Sequence, residues 1–176
     1  MRARFLILDR DGTINEDKGY TYRIEDLVIL PGVVEGLRKF WDAGWKFIVI
    51  TNQAGIARGF YKESDMNRFN SLMMRELANQ GIIIEAIYFC PHHPDRDCRC
   101  RKPKKYLVEL ASQWHRFDPK NCIFIGDGIS DIKLGLTCGG TTVLVNNPQY
   151  PDIDTPHFKA RNINHAFEQL KAARVV

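Results

Sequence analysis

No stretch of the 176 residues approaches the eighteen or so consecutive apolar positions that a membrane-crossing helix needs, so no membrane partner is expected. Before the first apolar run stand only Met1, Arg2, Ala3 and Arg4, and that run is four residues long, too short for a secretory signal; a cytoplasmic location is expected. There is no internal repeat and no low-complexity tract, which sets solenoid and linker architectures aside. Neither sign of charge dominates: the net charge of +4 favours anionic ligands without calling for nucleic acid. Cysteine is sparse and odd in number, five in all, which argues against a disulfide framework.

What is present alternates between strand-like and helix-like patterns. Residues 5–8 (Phe-Leu-Ile-Leu) form a continuous apolar run that reads as a strand buried on both faces. Similar runs end at Ile50, Cys90, Ile125 and Val145. Between them, helical spacing predicts a helix opened by Pro31 and Gly32, with Val33, Leu37, Phe40 and Trp41 on one face, and further helices over 63–80, 104–116, 131–138 and 164–173. Strands alternating with helices predict an α/β fold, a doubly wound and mostly parallel sheet covered on both faces. The length suits a single domain over 1–176. In such sheets ligands bind beyond the carboxyl ends of the strands. Every polar cluster in this chain follows such an end: Asp9 and Asp11, Thr51 and Asn52, the cysteines from Cys90 onward, and Asp127.

Asp9 and Asp11 leave the first strand in the string Asp9-Arg10-Asp11-Gly12-Thr13. By itself a D-x-D-G pair reads equally well as a solvated turn. Two carboxylates that close repel unless a positive charge separates them, which points to a bound cation, and hard carboxylate oxygens suit magnesium. The cysteines divide into two groups. Cys122 and Cys138 sit in apolar patterns as small core residues. Cys90, His92, Cys98 and Cys100 arrange C-x-H and C-x-C within eleven residues, four ligands of the kind and number that a closed structural zinc site takes, on a loop over 90–100 with no apolar core of its own.

DRDGT after an apolar strand resembles the nucleophile motif of the haloacid dehalogenase superfamily, which is composed mostly of phosphatases. Thr51, Lys102 within Arg101-Lys102-Pro103, and Gly126-Asp127-Gly128-Ile129-Ser130-Asp131 match that superfamily's three further signatures, in order. The resemblance implies a Rossmann-like fold and a magnesium-dependent phosphomonoester hydrolase. Asp9 would be the nucleophile forming an aspartyl-phosphate, and Asp11 the acid and base. Magnesium would be held by the side chains of Asp9 and Asp127 and the backbone carbonyl of Asp11. Thr51, Lys102 and the backbone N–H groups of residues 10, 11 and 52 would hold the phosphoryl group. Asp131 reads equally as an outer-shell group or a helix-start carboxylate.

The zinc loop, with TNQAGIARG over 51–59, narrows the resemblance to the branch of heptose 1,7-bisphosphate 7-phosphatases and histidinol-phosphate phosphatases, whose pattern uses the first histidine, His92, rather than His93. By that resemblance Asp17, Lys18, Gly19, Tyr20, Asn52, Gln53, Ala54 and Arg101 would surround a small phosphorylated sugar. The implied setting is heptose supply for lipopolysaccharide or capsule, by a monomer. No separate cap domain is expected, so the loop over 14–30 and the zinc loop would roof the site. Gly128 departs from the heptose enzymes, which commonly carry lysine there, and histidinol phosphate is the alternative substrate. A polynucleotide 3′-phosphatase is disfavoured because the basic run Arg99, Arg101, Lys102, Lys104, Lys105 lacks interleaved aromatics for stacking. A zinc-stabilised binding module would show no hydrolysis.

Overall fold

The computed structural model describes residues 3–147 and 155–176. The single-domain expectation also takes in residues 1–2 and 148–154, which lie outside the described residues. Six parallel strands form one sheet: β1 (Arg4–Leu8), β2 (Trp45–Asn52), β3 (Ile84–Cys90), β4 (Ile123–Gly126), β5 (Thr141–Val145) and β6 (Phe158–Ala160), in the order β3-β2-β1-β4-β5-β6. The helices are α1 (Val33–Asp42), α2 (Glu63–Asn79), α3 (Tyr106–His115), α4 (Ile129–Cys138) and α5 (Ile163–Ala172).

Alternation along each strand sorts the core into two layers. Leu6, Leu8, Phe47, Val49, Ile123 and Ile125 face Leu37 and Phe40 of α1, Met73 and Leu77 of α2, and Leu170 of α5. Phe5, Ile7, Ile48, Ile50 and Phe124 face Leu107, Val108 and Ala111 of α3 and Leu134 of α4. Strands clothed on both sides need apolar residues at every position, which is why the sequence shows unbroken runs rather than alternation.

Three details depart from the sequence reading. Trp41 is 38% exposed while Val33, Leu37 and Phe40 are buried. Eight residues past Val33, helical rotation has carried it about 80° around the axis, to the margin of the buried stripe. Strand β6 and the 3₁₀ turns at Ile24–Asp26 and Pro119–Asn121 were not anticipated; three residues are too few to show a period. Helix α3 starts at Tyr106 and α4 at Ile129, each two residues from the expected position.

Leu8 of β1 lies opposite both Val49 of β2 and Ile125 of β4. Asp9, Thr51 and Asp127 therefore leave one edge of the sheet side by side. The strand order also reverses between β1 and β4, so a crevice opens at that edge.

Candidate active site

Asp9 follows β1, and its Oδ1 accepts a hydrogen bond from its neighbour Arg10 N at 2.7 Å. The same oxygen pairs with Lys102 Nζ at 2.7 Å. Among the described residues Oδ2 accepts none. Lys102 is buried, donates to the Ile50 carbonyl at 2.8 Å, and pairs on its other side with Asp131 Oδ1 at 2.6 Å. Asp131 Oδ2 accepts from Gly128 N at 3.1 Å, so this one carboxylate both caps α4 and braces the lysine. Burial works to lower the Lys102 ammonium, but Asp131 and Asp9 outweigh it and hold it above its ordinary range. Burial, and then the charge of Asp131, push the Asp9 carboxyl up to about 8 against the pull of Lys102.

Asp11 sits in a different electrostatic setting. Both its oxygens are held by the guanidinium of Arg10, with Nε and Nη2 at 2.9–3.1 Å. Asn15 Nδ2 donates to its Oδ1 and Gln53 Nε2 to its Oδ2, each at 2.9 Å. The two aspartates have separate side-chain partners: Lys102 pairs with Asp9 and Arg10 with Asp11. The Arg10 N–H, expected to hold a phosphoryl oxygen, is taken by Asp9. Thr51 is buried at the cleft wall, where its Oγ1 accepts from Gln53 Nε2 at 2.9 Å.

Ligand oxygens of Asp9, Asp127 and Asp131 lie within 4.8 Å of one another. Burial and then Asp131 raise Asp127 to about 6. Three crowded carboxylates at a sheet edge, two of them pushed toward protonation, fit a hard divalent cation. With Asp131 engaged by Lys102, Asp9 and Asp127 are the side chains that would hold it. Gly12 preserves the space: at φ +73°, a Cβ there would come 2.1 Å from Asp127 Oδ2. Asn146 Nδ2 donates to the Gly12 carbonyl at 3.0 Å and Asn147 Nδ2 to the Asp127 carbonyl at 2.7 Å, tying the two acidic loops to the end of β5. Gly12→Ala should destabilise the protein by at least about 1 kcal/mol, because both the left-handed backbone and the contact oppose it. A melting temperature unchanged within a degree would contradict that.

A cleft of about 370 Å³ opens over these residues. Of the residues expected around a sugar, Asp17, Gly19, Tyr20, Asn52, Gln53, Ala54 and Arg101 line it. Lys18 does not: its Nζ pairs with Asp26 at 3.2 Å, because the turn at Asp17–Gly19, where Gly19 N donates to Asp17 Oδ1, directs it back along its own loop. The loop over 14–30 does overhang the strand end, anchored by Glu16 N to the Val28 carbonyl and Leu30 N to the Ile14 carbonyl. Sequence reading did not single out Tyr61, Pro94 and Ser130, which also line the cleft. Tyr61 donates to Gln53 Oε1 at 2.6 Å and stacks on Tyr22. Only its aromatic type among charged neighbours could have hinted at this.

The zinc ligands expected from the sequence converge. Cys90 Sγ lies 3.6 Å from both Cys98 Sγ and His92 Nδ1, Cys98 Sγ is 3.8 Å from Cys100 Sγ, and His92 Nδ1 is 3.1 Å from Cys100 Sγ. A tetrahedron of Zn–S and Zn–N bonds needs about 3.8 Å between sulfurs and about 3.6 Å from sulfur to nitrogen. The four residues fit zinc. His93 stands apart, 3.3 Å from Asp95.

The chain matches known proteins along most of its length. A family model described as HAD-hydrolase-like matches residues 99–173. The chain is 46% identical over 147 residues to the D-glycero-alpha-D-manno-heptose-1,7-bisphosphate 7-phosphatase of Campylobacter jejuni, covering 83% of this chain and 84% of that one. It is 37% identical over 137 residues to the D-glycero-beta-D-manno-heptose-1,7-bisphosphate 7-phosphatase of Haemophilus influenzae, 74% of each chain. The crystal structure of D,D-heptose 1,7-bisphosphate phosphatase from B. bronchiseptica, complexed with magnesium and phosphate, superposes with a TM-score of 0.84 at 28% identity, covering 98% of this chain and 99% of that one.

Proposed function

Because this chain belongs to the haloacid dehalogenase-like phosphatases, in the family of the D-glycero-manno-heptose-1,7-bisphosphate 7-phosphatases, we propose that it removes the 7-phosphate of D-glycero-D-manno-heptose 1,7-bisphosphate through an aspartyl-phosphate on Asp9. The magnesium ion, held by Asp9, Asp127 and the Asp11 carbonyl, supplies positive charge against the phosphoryl oxygens. Lys102 adds a fixed cation beside the nucleophile, and Thr51 donates to a phosphoryl oxygen. Asp11 gives its proton to the leaving oxygen and, in the second step, takes one from water. Asp17, Gly19, Tyr20, Asn52, Gln53 and Ala54 surround the sugar. The protein acts in the cytoplasm as a monomer, with zinc holding the loop that carries Arg101 and Lys102 into the cleft.

The observation that carries the substrate reading is Arg101. It lines the cleft, and its Nη1 is buried without a hydrogen-bond partner among the described residues. Its neighbour Lys102 is spent on two aspartates, so Arg101 is the remaining cation among the described residues that line the cleft. A guanidinium with an unused donor suits a second phosphate, in a bidentate geometry that a lysine could not match. Histidinol phosphate, with a cationic amine at its far end, would be repelled. Gly128 favours that second substrate, since it leaves out a cation the heptose enzymes commonly carry. Arg58, exposed and placed over the Tyr20 ring at 6.0 Å, does not line the cleft and makes no claim on either.

Phosphate release is expected to give a kcat/KM for the heptose bisphosphate at least roughly tenfold above histidinol phosphate, the factor that about 1.4 kcal/mol of transition-state discrimination provides. Arg101→Ala should shrink that ratio more than it slows a small aryl phosphate. Equal or faster turnover of histidinol phosphate would overturn the substrate and leave the phosphatase chemistry standing.

A further inference from the structure

Arg10 is among the largest fully buried side chains in the protein, and it is charged. Its Nε and Nη2 grip both oxygens of Asp11. Nη2 also donates to the Thr21 carbonyl at 2.6 Å and to Gln53 Oε1 at 3.2 Å, and Nη1 to Asn70 Oδ1 at 2.9 Å on α2. The guanidinium lies 4.7 Å from the centre of the Phe69 ring. Side chains of adjacent residues normally diverge. Here the backbone turns tightly, with the Arg10 carbonyl accepting from both Ile14 N and Asn15 N, and the two side chains meet.

Stability is a poor reason for this arrangement. A buried ion pair repays its desolvation only with full hydrogen bonding, and an apolar pair of the same size would often do as well. Neutralising Asp11 would need only an ammonium. What the guanidinium adds is a rigid fork whose donors fix the plane of the carboxylate and at the same time tie it to three other segments: the 14–30 loop, the segment after β2, and α2. Asp11 remains 18% exposed, at the cleft.

We infer that Arg10 is a positioning residue that aims Asp11 at the leaving oxygen of the phosphate ester, with Asn70 and Gln53 holding the guanidinium and carboxylate in register. The inference rests on the acid role given to Asp11 above. In the transfer step the ester enters as its monoanion and gives its proton to the Asp11 carboxylate, an Asp9 oxygen bonds to phosphorus, the ester P–O bond breaks with its electron pair on the leaving oxygen, and the proton passes from Asp11 to that oxygen. An alkoxide needs that proton; 4-nitrophenolate does not. Misaimed acid should therefore penalise a sugar phosphate and spare 4-nitrophenyl phosphate, and kcat/KM isolates this first step from hydrolysis of the intermediate.

Asp11→Asn provides the reference: kcat/KM on a sugar phosphate turned over by the native protein should fall by about 10²-fold or more, with a much smaller loss on 4-nitrophenyl phosphate. Arg10→Lys keeps the charge and removes the fork. It should lower the sugar-phosphate value at least about tenfold more than the aryl value. Asn70→Ala, on α2, removes one anchor of the guanidinium without burying a new charge and should discriminate in the same sense, which keeps the test alive if the lysine variant does not fold. Equal losses on both esters in these variants, while Asp11→Asn discriminates, would overturn the inference. If Asp11→Asn itself fails to discriminate, the acid role of Asp11 falls, and the inference falls with it.

Discussion

Asp9→Asn should abolish phosphatase turnover, with kcat falling by roughly 10³-fold or more, because the amide cannot attack phosphorus. The replacement is nearly isosteric, and its carbonyl can occupy the place of Oδ1, keeping the hydrogen bonds from Arg10 N and Lys102 Nζ. The fold should therefore survive, and in chelator-treated protein it should gain. In the metal-free protein the Asp9 carboxyl is raised from an ordinary 3.8 to about 8. A carboxyl raised on folding stabilises the protein fully below its unfolded value, and that contribution drains away as pH climbs to the folded value. The native protein should thus lose stability relative to the asparagine variant between about pH 4 and pH 8, and the difference should level off above that. Thermal melts in chelator across this range, beside phosphate release in magnesium, read both effects. Activity in the purified variant above a trace would refute the nucleophile. A variant that melts lower than the native protein at pH 8 would show that Lys102 binds the carboxylate more strongly than burial and Asp131 oppose it.

The sequence made the ends of strands legible and left the directions of side chains obscure. Unbroken apolar runs announced a sheet buried on both faces, and parallel pairing forced whatever followed each run to one edge; Asp9, Thr51 and Asp127 came together for that reason, and Lys102 reaches them from the loop that follows β3. The meeting of Cys90, His92, Cys98 and Cys100 was legible because short spacing leaves a loop little freedom over which atoms meet. Arg10 was not. Nothing in a D-R-D string says whether the middle residue faces solvent or turns back on its neighbour, since that depends on the turn over residues 10–15 and on Asn70, sixty positions away. The direction of Lys18 was hidden for a related cause: it depends on the local turn and on a pairing with Asp26, eight positions on. For Asp131 the sequence allows either a helix-start carboxylate or an outer-shell group, and the side chain bonds to both the α4 N-terminus and Lys102. One carboxylate has two oxygens, and a sequence cannot show that each has a separate task.

Protein purified without chelator is expected to carry about one zinc per chain, and Cys98→Ser to lose it together with most of its activity. The physical case is the loop itself. Residues 91–105 contain no helix or strand, and apart from Ala57 N to the Pro91 carbonyl their backbone bonds are few and local, such as Arg96 N to the His93 carbonyl and Cys98 N to the Arg96 carbonyl. Fixing that many residues costs on the order of 1–2 kcal/mol each in backbone entropy. Structural zinc returns about 10–16 kcal/mol in small zinc domains, enough to offset much of it. The main apolar layer under α1 and α5 contains no cysteine, so zinc loss should melt the loop and leave that side of the sheet standing. The loop's far end carries Arg101 and Lys102, with Lys102 N donating to Asn52 Oδ1 at 3.0 Å and Lys104 Nζ to the Cys98 carbonyl at 2.7 Å. Melting it would withdraw the cation beside Asp9 while most of the far-ultraviolet circular dichroism persists. Elemental analysis, circular dichroism and phosphate release on the same preparation separate local from global loss. Full zinc retention by Cys98→Ser, or a native protein that never contains zinc, would remove the metal from the account and leave the loop without a source of order.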